Sequence, residues 1–185
     1  TKSYTERKML EEASFYLQEG EKVGVIGING TGKSTLLKIM AGYEEPDGGT
    51  VVRANNLVIH YLPQDPEFDP EDDILTSVEK LAAHHGTSSE QMEAKAMMTR
   101  LGITDFTQKT GELSGGQRKR LALVSVLFCP CDILILDEPT NHLDSEMAAW
   151  LEQELKKFRG SLVMVTHDRY FLDSVTNRII EIDKG

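Results

Sequence analysis

Short apolar runs alternate with longer stretches of helical period along this chain. Residues 21–26 place Val23, Val25 and Ile26 in a run with the look of a buried strand, and 35–41 are good helix formers stopped by Gly42. Ile133 to Leu136 is a continuous apolar run, as in a parallel sheet covered on both faces. A helix is predicted over 118–127, with Leu121, Leu123, Val124 and Leu127 facing a core, followed by a helix at 145–158 and a strand at 161–166. A last helix and a strand ending at Ile182 complete the series. Helical spacing also marks 74–82 (Ile74, Leu75, Val78, Leu81) and 92–101 (Met92, Ala96, Met97, Leu101), with a polar break at 84–89. Near the start, strands around 4–6 and 13–17 should pair, turning at Gly20. After the turn at Pro46-Asp47-Gly48-Gly49, residues 50–53 and 57–62 read as an antiparallel hairpin joined at Asn55-Asn56, ended by Pro63. The alternation predicts an α/β fold: a parallel core carrying an added antiparallel β subdomain and a helical insert.

Between the first core strand and its helix lies Gly27-Ile28-Asn29-Gly30-Thr31-Gly32-Lys33-Ser34, followed by Thr35. Strand, glycine loop and helix in that order are the setting of a phosphate-binding P-loop. Gly27, Gly30 and Gly32 let the backbone turn its N–H groups into one concavity, and the helix adds its positive N-terminal end. Lys33 supplies a full charge to the outer phosphates, and the Ser34 hydroxyl can ligate Mg²⁺. The chain is thus expected to bind a nucleoside triphosphate.

Ligands of open parallel sheets sit at the carboxyl ends of the strands, and three such ends here carry polar groups suited to phosphoryl transfer. Strand 133–136 ends in Asp137-Glu138: one carboxylate can hold Mg²⁺ and the next can orient and deprotonate an attacking water. Strand 161–166 ends in His167-Asp168, where His167 can contact the γ-phosphate or the water. Gln64, at the end of a third, can sense Mg²⁺ or water through its amide. Ser114-Gly115-Gly116-Gln117 opens the helix beginning near Gln117 and makes a second anion site, with Arg118, Lys119 and Arg120 adding positive charge. One triphosphate needs no second cradle in the same molecule, so this turn should cap the γ-phosphate held by another subunit or domain.

Composition narrows the setting. At 185 residues, 39% hydrophobic and 27% charged, the chain suits one globular domain. No apolar run approaches a membrane span and the first residues have no signal-peptide core; the lack of an initiator Met points to a fragment of something longer. A net charge of −10 argues against a broad nucleic-acid surface, so no direct DNA binding is expected. Much of the excess lies in 65–73, whose six carboxylates read as a solvated loop. Cys129 and Cys131 are too close in sequence for an unstrained disulfide and make a poor zinc site alone, so both read as reduced thiols of a cytosolic protein. His84-His85 has no further ligands at helix spacing and reads as a solvent-facing helix end.

In order, Gly27 to Ser34, Gln64, Leu113 to Gln117, Leu136-Asp137-Glu138-Pro139, Leu143-Asp144 and His167 resemble the Walker A, Q-loop, signature, Walker B, D-loop and H-loop motifs of ABC-type ATPase domains. The resemblance covers nearly the whole chain. Asp137 to Asp144 and Thr166 to Asp173 look like the ABC-F subfamily, soluble proteins with two ATPase domains in one chain, no membrane domain and roles on the ribosome, so a cytoplasmic location is expected. The end of the chain is similar to the close of their first ATPase domain. It implies one ABC ATPase domain over 1–185, with a P-loop NTPase core and a helical subdomain at about 74–127. It also implies ATP and Mg²⁺ as cofactors, Ser34, Gln64 and Asp137 as Mg²⁺ residues, and Glu138 as general base with His167 beside it. Tyr4 lies where the family places its adenine-stacking aromatic, and Asp144 in the D-loop. Partners so implied are a second ABC ATPase domain and the ribosome, with no membrane span in this chain. The alternative is the ATP-binding subunit of a membrane transporter. One departure stands out: ABC-F first domains commonly carry an arm between Q-loop and signature, and the region around His85 to Glu90 is too short for it.

Overall fold

The structure, a computed structural model, describes residues 2–4, 7–10, 14–28, 30–81 and 88–182. The elements run β1 (Lys2–Tyr4), β2 (Arg7–Leu10), β3 (Lys22–Gly27), α1 (Lys33–Ala41) and β4 (Ile59–Leu62). Next come α2 (Ile74–Leu81), α3 (Ser88–Arg100), a 3₁₀ turn at Thr110–Glu112, α4 (Gly115–Leu127), β5 (Ile133–Asp137) and α5 (Ser145–Lys157). β6 (Ser161–Val165), α6 (Arg169–Val175) and β7 (Arg178–Ile182) finish it. They form two compact units: Thr1–Pro63 with Cys131–Pro139 and Glu152–Gly185, and Gln64–Pro130 with Thr140–Leu151.

The first unit is built on a five-stranded sheet of order β4-β5-β6-β3-β7 in which every neighbouring pair is parallel. β6 is buried at every position and β5 from Leu134 onward, as their unbroken apolar sequences require of central strands. The edge strand β7 instead alternates half-buried with exposed residues. Leu37 of α1 packs on one face with Val25, Tyr61, Ile135, Val163 and Val165. On the other face α6 comes so close that a Cβ on Gly24 would lie 2.6 Å from Leu172 Cδ1. Val25 pairs with Val165, and Val165 with Asp137, so the carboxyl ends of β3, β6 and β5 stand side by side.

Two strand expectations are corrected in this unit. The opening antiparallel pair joins β1 to β2, whereas 14–18 joins no ladder. Its alternation is real, since Phe15 and Leu17 pack against the core, but side chains satisfy its backbone: Ser161 Oγ donates to Gln18 O and Arg178 Nη1 to Tyr16 O. The hairpin of 50–53 with 57–62 does not form, although Asn56 does turn, at φ +61°. Val52 is exposed, and Arg53 donates instead to the Ile39 and Met40 carbonyls that end α1. β4 turns the other way, into the parallel sheet beside β5.

In the second unit α4 packs against α2 and α3. Leu121 to Val126 are buried all round, as in a helix enclosed by its neighbours. The buried positions of α3 are Ala94 and Met98, followed by Leu101; of the stripe read from the sequence Leu101 is buried, but Met92 and Ala96 are exposed and Met97 only half-buried. Six apolar residues in eleven offer two competing helical stripes there, and spacing alone does not choose between them. The acidic stretch is more than a solvated loop at its end. Asp73 Oδ1 accepts the Thr76 N–H and caps α2, and Asp72 pairs with Lys80 at 2.7 Å. His84 and His85 lie outside the described residues.

Candidate active site

β3 ends at Gly27 and delivers the chain into a loop that re-enters helix at Lys33. Gly32 caps α1 at φ +95°, with no side chain on its first amides and no acid in its first turn. The contrast is local: α4 is closed by Ser114 and Gln117, and α6 by Asp168. The free amides and the helix dipole leave the α1 terminus fit for an anion. Lys33 is buried and its Nζ donates to Gly27 O at 2.7 Å and Ile28 O at 3.0 Å, laying the ammonium across the loop. Thr31 Oγ1 donates to Ile28 O at 2.8 Å, and Thr35 is buried behind half-buried Ser34. The glycines divide by reason. Gly30, at φ +79°, has open space where a Cβ would stand; a Cβ on Gly27 would lie 2.3 Å from Ile182 O. Asn29 lies outside the described residues, and Tyr4 is placed in β1.

Beside this loop β5 ends in Asp137, 2% exposed, and Glu138, 5% exposed. Glu138 takes the left-handed backbone at φ +51°, uncommon for a side-chain-bearing residue, and its N–H donates to Val165 O at 2.8 Å. Its carboxylate faces His167 twice: Oε2 accepts the His167 backbone N–H at 3.3 Å, and Oε1 lies 3.4 Å from Nε2 of the exposed imidazole. Burial raises the Glu138 carboxyl above its ordinary range, the His167 ring and amide pull it down, Asp137 adds an upward push, and Lys33 a downward one. A carboxylate so placed is a better proton acceptor than one in water. Asp168 is a structural cap, its Oδ1 accepting the Phe171 N–H at 3.0 Å. A group that sequence spacing does not reveal lies close by. Tyr61 Oη is buried without a hydrogen-bond partner, and burial together with the Asp137 charge pushes the phenol well above its usual value.

The structure thus gathers Gly27, Ile28, Gly30 to Thr35, Asp137, Glu138 and His167 in the first unit. Gln64, Ser114 to Gln117 and Asp144 belong to the second. Ser114 and Gln117 form a capping box: Ser114 Oγ accepts the Gln117 N–H at 3.3 Å, and Gln117 Oε1 accepts the Ser114 N–H at 2.9 Å. Gly115 is left with nothing within 4 Å of an added Cβ. Asp144 Oδ1 accepts the Met147 N–H at 2.9 Å, capping α5. Of the three basic residues after the signature turn, only Arg118 points outward as free charge was expected to. Lys119 Nζ donates to Gln64 O at 3.0 Å, and Arg120 to Leu101 O at 3.0 Å and Gly116 O at 3.3 Å.

Among the described residues no three His, Cys, Asp or Glu stand together as a metal site. A divalent cation would therefore need ligands from the phosphates, beside Ser34 and Asp137. The uncapped α1 terminus and the open space at Gly30 fit a polyphosphate. Fold and site together define a P-loop nucleotide-binding ATPase.

The sequence profile of the ABC transporter family matches residues 10–141, and the chain belongs to that family. It is 38% identical to the ABC transporter ATP-binding protein YfmR of Bacillus subtilis, over the whole of this chain and 35% of the relative. It is likewise 38% identical to the energy-dependent translational throttle protein EttA of Escherichia coli strain K12, over 97% of this chain and 39% of the relative. The chain thus spans little more than a third of these proteins. The EttA alignment runs over 217 residues against a chain of 185, so EttA carries internal residues that this chain lacks. Among solved structures, a dimeric post-hydrolysis ATP-binding cassette bound to ADP and Pi superposes with a TM-score of 0.81 at 26% identity, covering 98% of this chain and 90% of that one. Among the described residues no helix is long and apolar enough to cross a membrane.

Proposed function

We propose that residues 1–185 act as one ATPase domain of an ABC-F type protein, hydrolysing ATP when paired head to tail with a second such domain and so gating an action on the ribosome. The observation that carries the ATPase reading is the bare, glycine-capped N-terminus of α1 with buried Lys33 and the Glu138–His167 pair beside it. Lys33 and the loop amides of Gly27 to Ser34 hold the phosphates, with Asn29, Thr31 and Thr35 completing the cradle and Tyr4 against the adenine. Ser34, Gln64 and Asp137 serve Mg²⁺, which neutralises phosphate charge when bound. Glu138 takes the proton of the attacking water, and His167 holds Glu138 on one side and attends the γ-phosphate on the other. Ser114, Gly115, Gly116 and Gln117 complete the site of the partner domain, and Asp144 lies at the seam between the two.

The ribosomal part of the reading is supported by the likeness to a protein named as a translational throttle. The test uses the full-length protein carrying Glu138→Gln, and the same change in any second domain, in a lysate with ATP and Mg²⁺. Cosedimentation with ribosomes that is lost without ATP is the expected result. Cosedimentation with membranes would replace this reading by that of a transporter subunit.

A further inference from the structure

We infer that Lys119 is a positioning residue for Gln64, tying the loop that bears Gln64 to the helix that opens with the signature turn. The inference rests on the reading of Gln64 as a residue that serves Mg²⁺. Lys119 is 3% exposed, and lysine is almost never so deeply buried unless its ammonium is engaged. Here the ammonium donates to the backbone carbonyl of Gln64 at 3.0 Å. A methionine would fill similar volume without removing a charge from water, so the ammonium is costly filler and an effective tether. Lys119 lies on α4, little more than one turn past the Ser114 cap, on a helix that is buried along its middle.

A second set of bonds joins the same two segments. Thr110 Oγ1 donates to Asp69 O at 2.5 Å, Gly111 N to Pro70 O at 3.2 Å, Thr110 N to Asp72 O at 3.0 Å, and Ile74 N to Gln108 O at 3.2 Å. Lys109 Nζ reaches Glu71 O as well. The stretch after Gln64 is thereby laced to the stretch before Ser114, closely enough that a Cβ on Gly111 would stand 3.0 Å from Pro70. Arg120, the next residue, holds α4 elsewhere, on Gly116 O within the helix and on Leu101 O after α3. Gln64 keeps an exposed side chain on a backbone pinned at one end by Lys119 and at the other by this clasp.

The test compares Lys119→Met, Gln64→Ala and the double variant in the full-length protein. Each single change should raise the Mg²⁺ concentration for half-maximal ATP hydrolysis about tenfold, the size of one lost charge-assisted hydrogen bond. The double variant should be no worse than Gln64→Ala alone. ATP affinity measured in EDTA should stay at the wild-type value. A Lys119→Met protein with lowered Tm but wild-type Mg²⁺ dependence, beside a shifted Gln64→Ala, overturns the inference and leaves the site reading standing. A Gln64→Ala protein with wild-type Mg²⁺ dependence overturns both. Should Lys119→Met fail to fold, the ammonium NMR signal of Lys119 in the unaltered protein decides. It should shift on adding ATP with Mg²⁺ and not on adding ATP with EDTA; an unmoved signal overturns the inference.

Discussion

Gly27 and Gly30 belong to one loop, yet substituting alanine should damage the protein in two different ways. At Gly27 the new Cβ would lie 2.3 Å from Ile182 O and 3.1 Å from Thr31 Oγ1, while ordinary contact begins near 3.4 Å. Something must move by about 1 Å, and the obstacle is the backbone of β7 at the last rung of its ladder with β3, where Gly27 pairs with Ile182. Overpacking of this kind costs about 1–3 kcal/mol, and the positive φ of +152° adds about 1 kcal/mol for a residue with a Cβ. A loss of about 2–4 kcal/mol lowers Tm by about 10 °C in a domain of this size. At Gly30 there is no clash, and only the backbone penalty at φ +79° remains, about 1 kcal/mol or about 3 °C. If the loop cradles phosphates, however, the Gly30 methyl projects into the space a ligand would need.

Thermal unfolding and nucleotide titration of both variants separate the effects. Gly27→Ala should be clearly destabilised. Gly30→Ala should be nearly as stable as the wild type but bind ATP more weakly. Gly27→Ala melting within a degree or so of wild type would refute the steric argument, and Gly30→Ala with undiminished ATP affinity would refute the cradle.

Three further substitutions have expected outcomes. Glu138→Gln should keep ATP binding and slow hydrolysis about 10²-fold or more in a steady-state assay. Because the Glu138 carboxyl is raised above its ordinary 4.5, its favourable contribution to stability holds in acid and is lost as pH rises through the folded-state pKa; Glu138→Gln should therefore gain in Tm over the wild type toward neutral pH and show no such gain below about pH 4.5. Tyr61→Phe removes a buried, unpartnered hydroxyl and should raise Tm by about 3 °C, about 1 kcal/mol; a fall of that size would mean the hydroxyl is hydrogen-bonded in solution. Asp73→Ala should cost about 1 kcal/mol at pH 7, and the difference in Tm should close as pH falls below the ordinary 3.8, since the Thr76 amide above all holds the folded carboxyl lower.

What was legible in the sequence followed from strong local signals. The Val23 to Ile26 run, the glycine loop and the helix after it appear where the pattern puts them, and so do the Ile133 to Leu136 strand and its acidic end. Misreadings arose where the pattern was right and its partner was elsewhere. The alternation at 14–17 is that of a strand, but Ser161 and Arg178 supply its hydrogen bonds from more than 140 residues away. Of the 57–62 read as a strand, Ile59–Leu62 is one, but β5, not 50–53, is its neighbour. Period-2 patterning tells which face is buried and says nothing of what lies along the edge.

Charge was the weaker guide for a related reason. Lys119 and Arg120 count as two positive charges in sequence, yet both are spent on backbone carbonyls, and Asp73, Asp144 and Asp168 count as negative but act as helix caps. Ser114 and Gln117 are in the same position, since their side chains close the turn whose glycine amides are proposed to meet a phosphate. That double employment has a consequence for reading variants. An alanine at Ser114 removes a cap worth about 1 kcal/mol, so the helix frays at the turn that must stay ordered to present Gly115 and Gly116. A loss of hydrolysis there is not by itself proof that the serine hydroxyl touches nucleotide. Ser114→Asp keeps a capping acceptor while placing a negative charge at the proposed phosphate site. Retained Tm with lost hydrolysis in that variant would separate the anion role from the cap, whereas retained hydrolysis would reduce Ser114 to the cap alone.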